Sequence, residues 1–105
     1  MRYNKLIRDH VPALVARDGR TPHTRQLAPD EFRAALRAKL LEEAAECAAA
    51  TSPDDIAEEC ADLLEVLAAL AEAEGIDWAA ITAVRERKSQ VGGCFRERLL
   101  LLSID

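Results

Sequence analysis

Residues 29–74 read PDEFRAALRAKLLEEAAECAAATSPDDIAEECADLLEVLAALAEAE and contain two helix-length segments separated by a short break. A proline followed by two acidic residues favours the start of a first helix, which we expect over residues 29–50. Ser52 then stands where an N-cap is expected, directly before a proline and two more acids. It begins a second helix over residues 53–74, which Gly75 ends. This stretch therefore predicts an antiparallel helical hairpin.

The flanking segments extend the helical pattern. Asp77 can cap a third helix over residues 78–90, and two glycines at residues 92–93 close it. The less regular flanks predict a short helix over residues 12–17 and a turn over residues 18–20. Residues 24–27 and 98–104 are predicted to be extended and are candidates for a short β pairing. The predicted fold class is all-α, a helical bundle built on the hairpin, with the terminal β pairing as an optional addition.

The formal net charge of −5 is divided unevenly along the chain. Residues 1–25 carry six basic and two acidic side chains, residues 26–77 carry three and fourteen, and residues 78–105 carry five and three. An acidic middle argues against nucleic acid or an anionic membrane as the main partner, because both require a dominant basic surface. The division suits a metal-bound polyphosphate, with acids for the cation and bases for the phosphates.

The length of 105 residues predicts a single domain, 1–105, with limited apolar area to bury, so a homo-oligomer, dimer or tetramer, is expected. Cys47, Cys60 and Cys94 show no CxxC spacing, which indicates small buried thiols in a reducing cytosol rather than a disulfide framework or a zinc site. The chain opens without an apolar run long enough for a signal peptide, and no stretch approaches a membrane span. We therefore expect a cytoplasmic protein.

The first helix of the hairpin interrupts its own apolar stripe with an acidic residue. At about 100° per residue, Leu36, Leu40 and Cys47 lie on one face of the helix and define that stripe. Glu43 falls inside the stripe, and Glu46 lies at its edge. A carboxylate in a position where an apolar side chain is expected is a candidate functional group.

The second helix repeats the interruption. Glu59 falls within its stripe and Asp62 borders it, while the apolar members of the stripe are Ile56, Leu63, Val66, Leu67 and Leu70. Other acids nearby lie off the stripes and are interpreted as solvated: Glu42, Glu58 and Glu65. Both helices therefore carry one acid in the stripe and a second acid three residues away.

The two acidic pairs are symmetric about the expected turn. In an antiparallel hairpin centred between Ser52 and the following proline, Glu43 should stand level with Asp62, and Glu46 level with Glu59. Clustered carboxylates repel one another, and their oxygen ligands with no Cys or His favour a hard cation, Mg²⁺ or Mn²⁺. The alternative is that glutamate is simply abundant in helices and that a basic residue neutralises part of the cluster.

A Glu-x-x-Glu pair followed after twelve residues by a Glu-x-x-Asp pair resembles the signature of the all-alpha NTP pyrophosphatase superfamily. That group includes MazG-like proteins, dimeric dUTPases and phosphoribosyl-ATP pyrophosphohydrolases. YNKLIRDHVP at residues 3–12 is similar to the opening of a MazG-like, phosphoribosyl-ATP pyrophosphohydrolase-like branch, and Lys88 with GGCF at residues 92–95 resembles its Lys…Arg-Gly-Gly-Phe segment. Val91 in place of arginine and the inserted Cys94 depart from that pattern.

The resemblance implies a MazG-like domain that cleaves a nucleoside triphosphate, canonical or non-canonical, to the monophosphate and pyrophosphate. It implies that the carboxylates Glu43, Glu46, Glu59 and Asp62 hold one or two Mg²⁺ ions, with Mn²⁺ as a substitute, and that Glu43 or Glu46 activates the attacking water. Two alternatives remain open at this point: phosphoribosyl-ATP as the substrate, and a non-catalytic helical adaptor that needs no metal.

Basic and polar residues outside the quartet are the candidates for substrate binding. Lys5 and Arg8 are expected at the phosphates, and Asn4 at a base or ribose edge. Lys39 is expected to pair with Glu43 or to contact phosphate, and Lys88 either contacts substrate or lies on a solvated helix face. The two histidines, His10 and His23, are expected in loops away from the metal, because neither stands in a Glu-x-x-His spacing.

Overall fold

A computed structural model describes residues 4–105, so Tyr3, the first residue of the segment 3–12, lies outside the described residues. The described part of the chain contains four helices: α1 (Val11–Arg17), α2 (Pro29–Ala49), α3 (Pro53–Ala73) and α4 (Trp78–Gly92). The predicted all-α fold class is confirmed. None of these helices is long and apolar enough to cross a membrane.

Helices α2 and α3 begin at the predicted residues, and each ends one residue before its predicted end, at Ala49 and Ala73. The Ser52 side chain accepts a hydrogen bond from the backbone N–H of Asp55 at 3.1 Å, as an N-cap does. Past the end of α3, Gly75 has φ +69°, a left-handed conformation that a residue with a side chain adopts only with strain. The N-cap of α4 is also as predicted, because Asp77 accepts from the N–H of Ala79 at 3.2 Å.

The predicted antiparallel hairpin is present, and its sparse core lies between α2 and α3. Arg33 and Arg37 near the start of α2 both reach Glu74 just past the end of α3, at 3.8 and 3.1 Å. Leu36 and Val66 are buried between the two helices. One expected member of the apolar stripe, Ile56, is 40% exposed, so the stripe of α3 is covered only from its second turn onward.

The chain divides into two compact units, one ending at Gly75 and the other comprising Ile76–Asp105. The first unit contains α1, α2 and α3, and the second contains α4. The expectation of one domain over residues 1–105 stays a prediction.

The predicted short β pairing is wrong, because the described residues contain no strand. Arg25 folds back onto the first turn of α2, where its guanidinium pairs with Glu31 at 2.8 Å, so residues 24–27 lead into a helix. Residues 98–104 are exposed throughout, and four successive leucines give them no alternating apolar face on which a strand could pack.

The pairing at the start of α2 should make stability depend on pH. The hydrogen bond from Arg25, a second one from the backbone N–H of Ala28, and the charge of Arg25 together lower the pKa of Glu31 to about 2. Because the pKa of Glu31 is lowered in the folded state, its ionised carboxylate stabilises the fold fully at pH values above the ordinary pKa of a glutamate. This stabilisation is lost as the pH falls through the folded-state pKa of about 2. Both side chains are largely exposed, so the effect is modest.

We expect Glu31→Gln to lower the melting temperature at neutral pH and to leave it unchanged near pH 2. Circular dichroism melts of wild type and variant across this range measure the difference, with Glu58→Gln, an exposed acid on α3, as the control. A wild-type advantage that stays constant down to pH 2 would contradict this explanation.

Candidate active site

Three carboxylates meet between α2 and α3. One carboxylate oxygen from each of Glu43, Glu46 and Glu59 can be chosen so that all three lie within 4.8 Å of one another. Glu43 and Glu46 share a face of α2 because residues three apart are neighbours on a helix. Glu59 approaches from α3, opposite Glu46, as the symmetry of the hairpin predicts. The three residues have oxygen ligands close enough to share one cation.

Burial leaves this cluster without enough hydrogen-bond donors. Glu43 is only 6% exposed although it is acidic. Within the described residues, the Oε2 atoms of Glu43 and Glu59 are both buried and have no hydrogen-bond partner. An unpaired buried carboxylate oxygen is costly, and a cation between the two helices would satisfy both atoms. The all-oxygen set fits Mg²⁺ or Mn²⁺, which prefer such ligands.

The electrostatics of Glu59 reflect the same crowding. Burial raises the pKa of Glu59, and the negative charges of Glu46, Asp62 and Glu43 raise it further. The sign means that the folded protein resists a full negative charge on this side chain. A bound divalent cation would reverse that preference, because it favours the ionised carboxylate.

Lys39 neutralises part of the cluster from within α2. Its Nζ lies 3.3 Å from Oε1 of Glu43 and 3.8 Å from Oε1 of Glu42. The predicted pair between Lys39 and Glu43 is therefore present. It involves Oε1 of Glu43, so Oε2 remains the oxygen without a hydrogen-bond partner. Glu42, which we interpreted as solvated, is partly exposed and also lies 3.6 Å from Nζ of Lys5.

Asp62, the fourth acid of the predicted quartet, pairs with a residue of the N-terminal segment. Nη2 of Arg8 donates a hydrogen bond to Oδ1 of Asp62 at 2.8 Å. Together with the pair between Lys5 and Glu42, this contact holds the basic segment against the acidic hairpin. Arg8 and Lys5, both predicted as phosphate ligands, therefore lie beside the carboxylates.

The remaining predicted residues are less closely tied to the cluster. Asn4 is exposed, and His10 and His23 lie outside the helices, as expected. Lys88 lies on α4 in the second unit, so its part in substrate binding stays a prediction.

The three cysteines are not the small buried thiols that the sequence predicts. Cys47 is half-buried, while Cys60 and Cys94 are exposed. Sγ of Cys47 on α2 lies 3.7 Å from Sγ of Cys60 on α3. In the symmetric hairpin Cys47 would stand level with Glu58 rather than with Cys60, so this contact was not predicted from the sequence.

Comparison with known proteins agrees with the geometry. The family model described as phosphoribosyl-ATP pyrophosphohydrolase matches residues 11–89, which is more than half of this chain. A protein of Mycolicibacterium smegmatis (strain ATCC 700084 / mc(2)155), described as uncharacterized, is 52% identical over 50 residues, covering 48% of this chain. The chain covers 51% of that relative, so it spans about half the length of the curated relative it matches. No solved structure matches this chain.

Proposed function

Because this chain belongs to the phosphoribosyl-ATP pyrophosphohydrolase family, within the MazG-like all-alpha NTP pyrophosphatase superfamily, we propose that it hydrolyses a nucleoside triphosphate to the monophosphate and pyrophosphate. Mg²⁺ is the proposed cofactor, and Mn²⁺ can replace it. The observation that carries the proposal is the cluster of Glu43, Glu46 and Glu59, in which two buried oxygens lack a hydrogen-bond partner among the described residues.

The proposed metal ligands are these three glutamates and Asp62. When bound, the cation lowers the pKa of a water molecule and offsets negative charge on the phosphates. Glu43 and Glu59 have buried oxygens suited to hold the cation. Glu46 is the exposed member of the cluster, so it is the better general base, because a water molecule from solvent can reach it.

The proposed phosphate ligands are Arg8 and Lys5, with Lys39 beside them on α2. Arg8 pairs with Asp62 at the surface, where such a pair contributes little stability. If Asp62 ligated a cation, the guanidinium of Arg8 would be free to donate to phosphate oxygens, which its planar set of donors suits. Asn4 is the proposed contact for the base or the ribose.

We expect Arg8→Gln to lower kcat/KM for a nucleoside triphosphate about 10- to 100-fold, mainly through KM, because a charged hydrogen bond to phosphate is lost. Steady-state kinetics of pyrophosphate release measure the change. Arg17→Gln, at an exposed arginine at the end of α1, is the matched control and should retain wild-type kinetics. Equal losses in the two variants would mean that Arg8 has no particular contact with the substrate.

Phosphoribosyl-ATP is a second candidate substrate, and the description of the matching family model favours it. Both substrates would be cleaved at the same kind of phosphoric anhydride bond and would use the same carboxylates. Pyrophosphate release from a panel of canonical, deoxy and modified nucleotides together with phosphoribosyl-ATP separates them. Metal-dependent release from at least one nucleoside triphosphate is expected, and release from phosphoribosyl-ATP alone would overturn the preferred substrate.

A thermal-shift experiment separates the enzyme from a non-catalytic adaptor. A cation that binds only the folded state at about 100 times its Kd stabilises it by about 2.7 kcal/mol, which corresponds to a melting temperature higher by on the order of 10 °C for a domain of this size. We expect such a rise with Mn²⁺ or Mg²⁺ and none with Na⁺ at equal ionic strength. An unchanged melting temperature in both divalent salts would favour the adaptor.

We also propose that the protein is a homo-oligomer, a dimer or a tetramer. On the hairpin, Leu41 is 73% exposed and Leu64 is 54% exposed, which leaves apolar area for a second copy to cover. In the second unit, Phe95 is 96% exposed. Light scattering after size exclusion measures the mass, and a value equal to one chain at micromolar concentration would refute this proposal.

A further inference from the structure

The hairpin holds two thiols in contact beside the carboxylate cluster. Sγ of Cys47 lies 3.7 Å from Sγ of Cys60, and the two residues come from facing helices. A disulfide bond requires a separation of about 2.05 Å, so the sulfurs must approach by about 1.6 Å. Cys60 is exposed and Cys47 is half-buried, so an oxidant dissolved in water reaches Cys60 first.

We propose that Cys47 and Cys60 form a reversible disulfide when the protein meets a hydroperoxide, and that this bond weakens cation binding at the adjacent carboxylates. The first half of this inference concerns only the two thiols. The second half rests on the proposed function, because it assumes that the carboxylates hold a divalent cation.

The oxidation is balanced by hydrogen peroxide alone. The sulfur of Cys60 attacks one peroxide oxygen and the O–O bond breaks. The products are a sulfenic acid on Cys60 and one water molecule, which takes up the thiol proton. The sulfur of Cys47 then attacks that of Cys60, the S–O bond breaks, and a second water molecule carries away the hydroxyl group and the Cys47 proton. The two thiols lose two electrons in total, and the peroxide gains them.

The new bond acts on the cluster through the chain itself. Cys47 directly follows Glu46, and Cys60 directly follows Glu59. When the two Sγ atoms approach by about 1.6 Å, the backbone that carries these carboxylates shifts. Metal–ligand distances tolerate changes of only about 0.2 Å. We expect cation affinity to fall about tenfold or more, in line with the loss caused by disturbing the groups that orient metal ligands.

Intact mass and a peptide map test the disulfide. The full chain carrying Cys94→Ser, which removes the third thiol, is treated with equimolar hydrogen peroxide under non-reducing conditions. No lysine or arginine lies between Lys39 and Arg85, so trypsin leaves both cysteines in one peptide, whereas cleavage before Asp54 and Asp55 separates them. We expect a loss of two hydrogens from the intact chain, and the peptides containing Cys47 and Cys60 to remain joined until reduction.

Addition of one or more oxygens without a joined peptide would overturn the disulfide. So would a joined peptide found only in covalently linked dimers. The matched control is the double variant with Cys60→Ser and Cys94→Ser, which should form no internal bond. Because Cys60 is exposed, this substitution leaves the packing of the hairpin intact.

Electron paramagnetic resonance of free Mn²⁺ tests the second half without any activity measurement. The Kd for Mn²⁺ is measured on the reduced protein, on the oxidised protein, and after a phosphine reductant has restored the thiols. We expect a rise of about tenfold or more on oxidation, full recovery on reduction, and no change in the control. An unchanged Kd in fully oxidised protein would overturn the effect on the cation. No binding to reduced protein would overturn the proposed function and this second half, while the mass result decides the disulfide independently.

Discussion

Replacing Glu43 with glutamine is expected to lower pyrophosphate release by about 100-fold or more at saturating Mg²⁺. Glu43 is 6% exposed, and its Oε2 is buried without a hydrogen-bond partner among the described residues. Glutamine keeps the volume of the side chain but removes its charge and can turn an NH₂ group towards the cation. Because the other oxygen of Glu43 is engaged by Lys39, the substitution also leaves that ammonium facing the site.

The effect of Glu43→Gln should appear in kcat as well as in the concentration of Mg²⁺ that gives half-maximal rate. Kinetics over a range of Mg²⁺ concentrations measure both quantities. Glu58→Gln makes the same chemical change at an exposed position of α3 and should leave both unchanged. Full turnover by a folded Glu43→Gln protein would remove this residue from the site.

Glu59→Gln should have opposite effects on activity and on stability. Burial and the charges of Glu46, Asp62 and Glu43 raise the pKa of Glu59, so the ionised side chain opposes folding of the metal-free protein at neutral pH. Removing that charge should increase the free energy of unfolding in the presence of a chelator. The same substitution removes a proposed cation ligand and should lower pyrophosphate release by about 100-fold or more.

Urea unfolding in the presence of a chelator measures the free energy of unfolding of Glu59→Gln and of wild type. In the same assay with Mg²⁺, the variant should no longer be more stable than wild type. The reason is that only wild type acquires stability from the cation. Raised stability together with lost activity distinguishes a strained functional site from ordinary packing, because a residue that only packs loses both when it is changed. A Glu59→Gln protein that is less stable and still active would contradict this account.

The hairpin could be predicted from sequence because its signals are local. Helix α3 begins at a serine N-cap followed by a proline and two acids, and this signal does not depend on where the rest of the chain lies. Gly75 ends the helix because glycine readily adopts the left-handed conformation found after a helix C-terminus. The approach of Glu46 to Glu59 could also be predicted, because a short turn fixes which residues face each other.

Contacts between distant segments could not be predicted in the same way. The pairing of Arg8 with Asp62 depends on where an irregular segment lies against α3, and no periodicity encodes that. The error on the cysteines has a different cause. The expectation of buried thiols came from the lack of CxxC spacing, which carries no information about the face of the helix on which each cysteine lies, so the exposure of Cys60 was not predicted.

Phosphorus NMR of a nucleoside triphosphate turned over in ¹⁸O-labelled water tests the central claim most directly. If the carboxylates hold a catalytic cation, the products should be nucleoside monophosphate and pyrophosphate, formed only with Mg²⁺ or Mn²⁺ and lost in Glu43→Gln. The position of the label would show which phosphorus the water attacked. Nucleoside diphosphate with inorganic phosphate, or equal turnover with and without a divalent cation, would contradict the account.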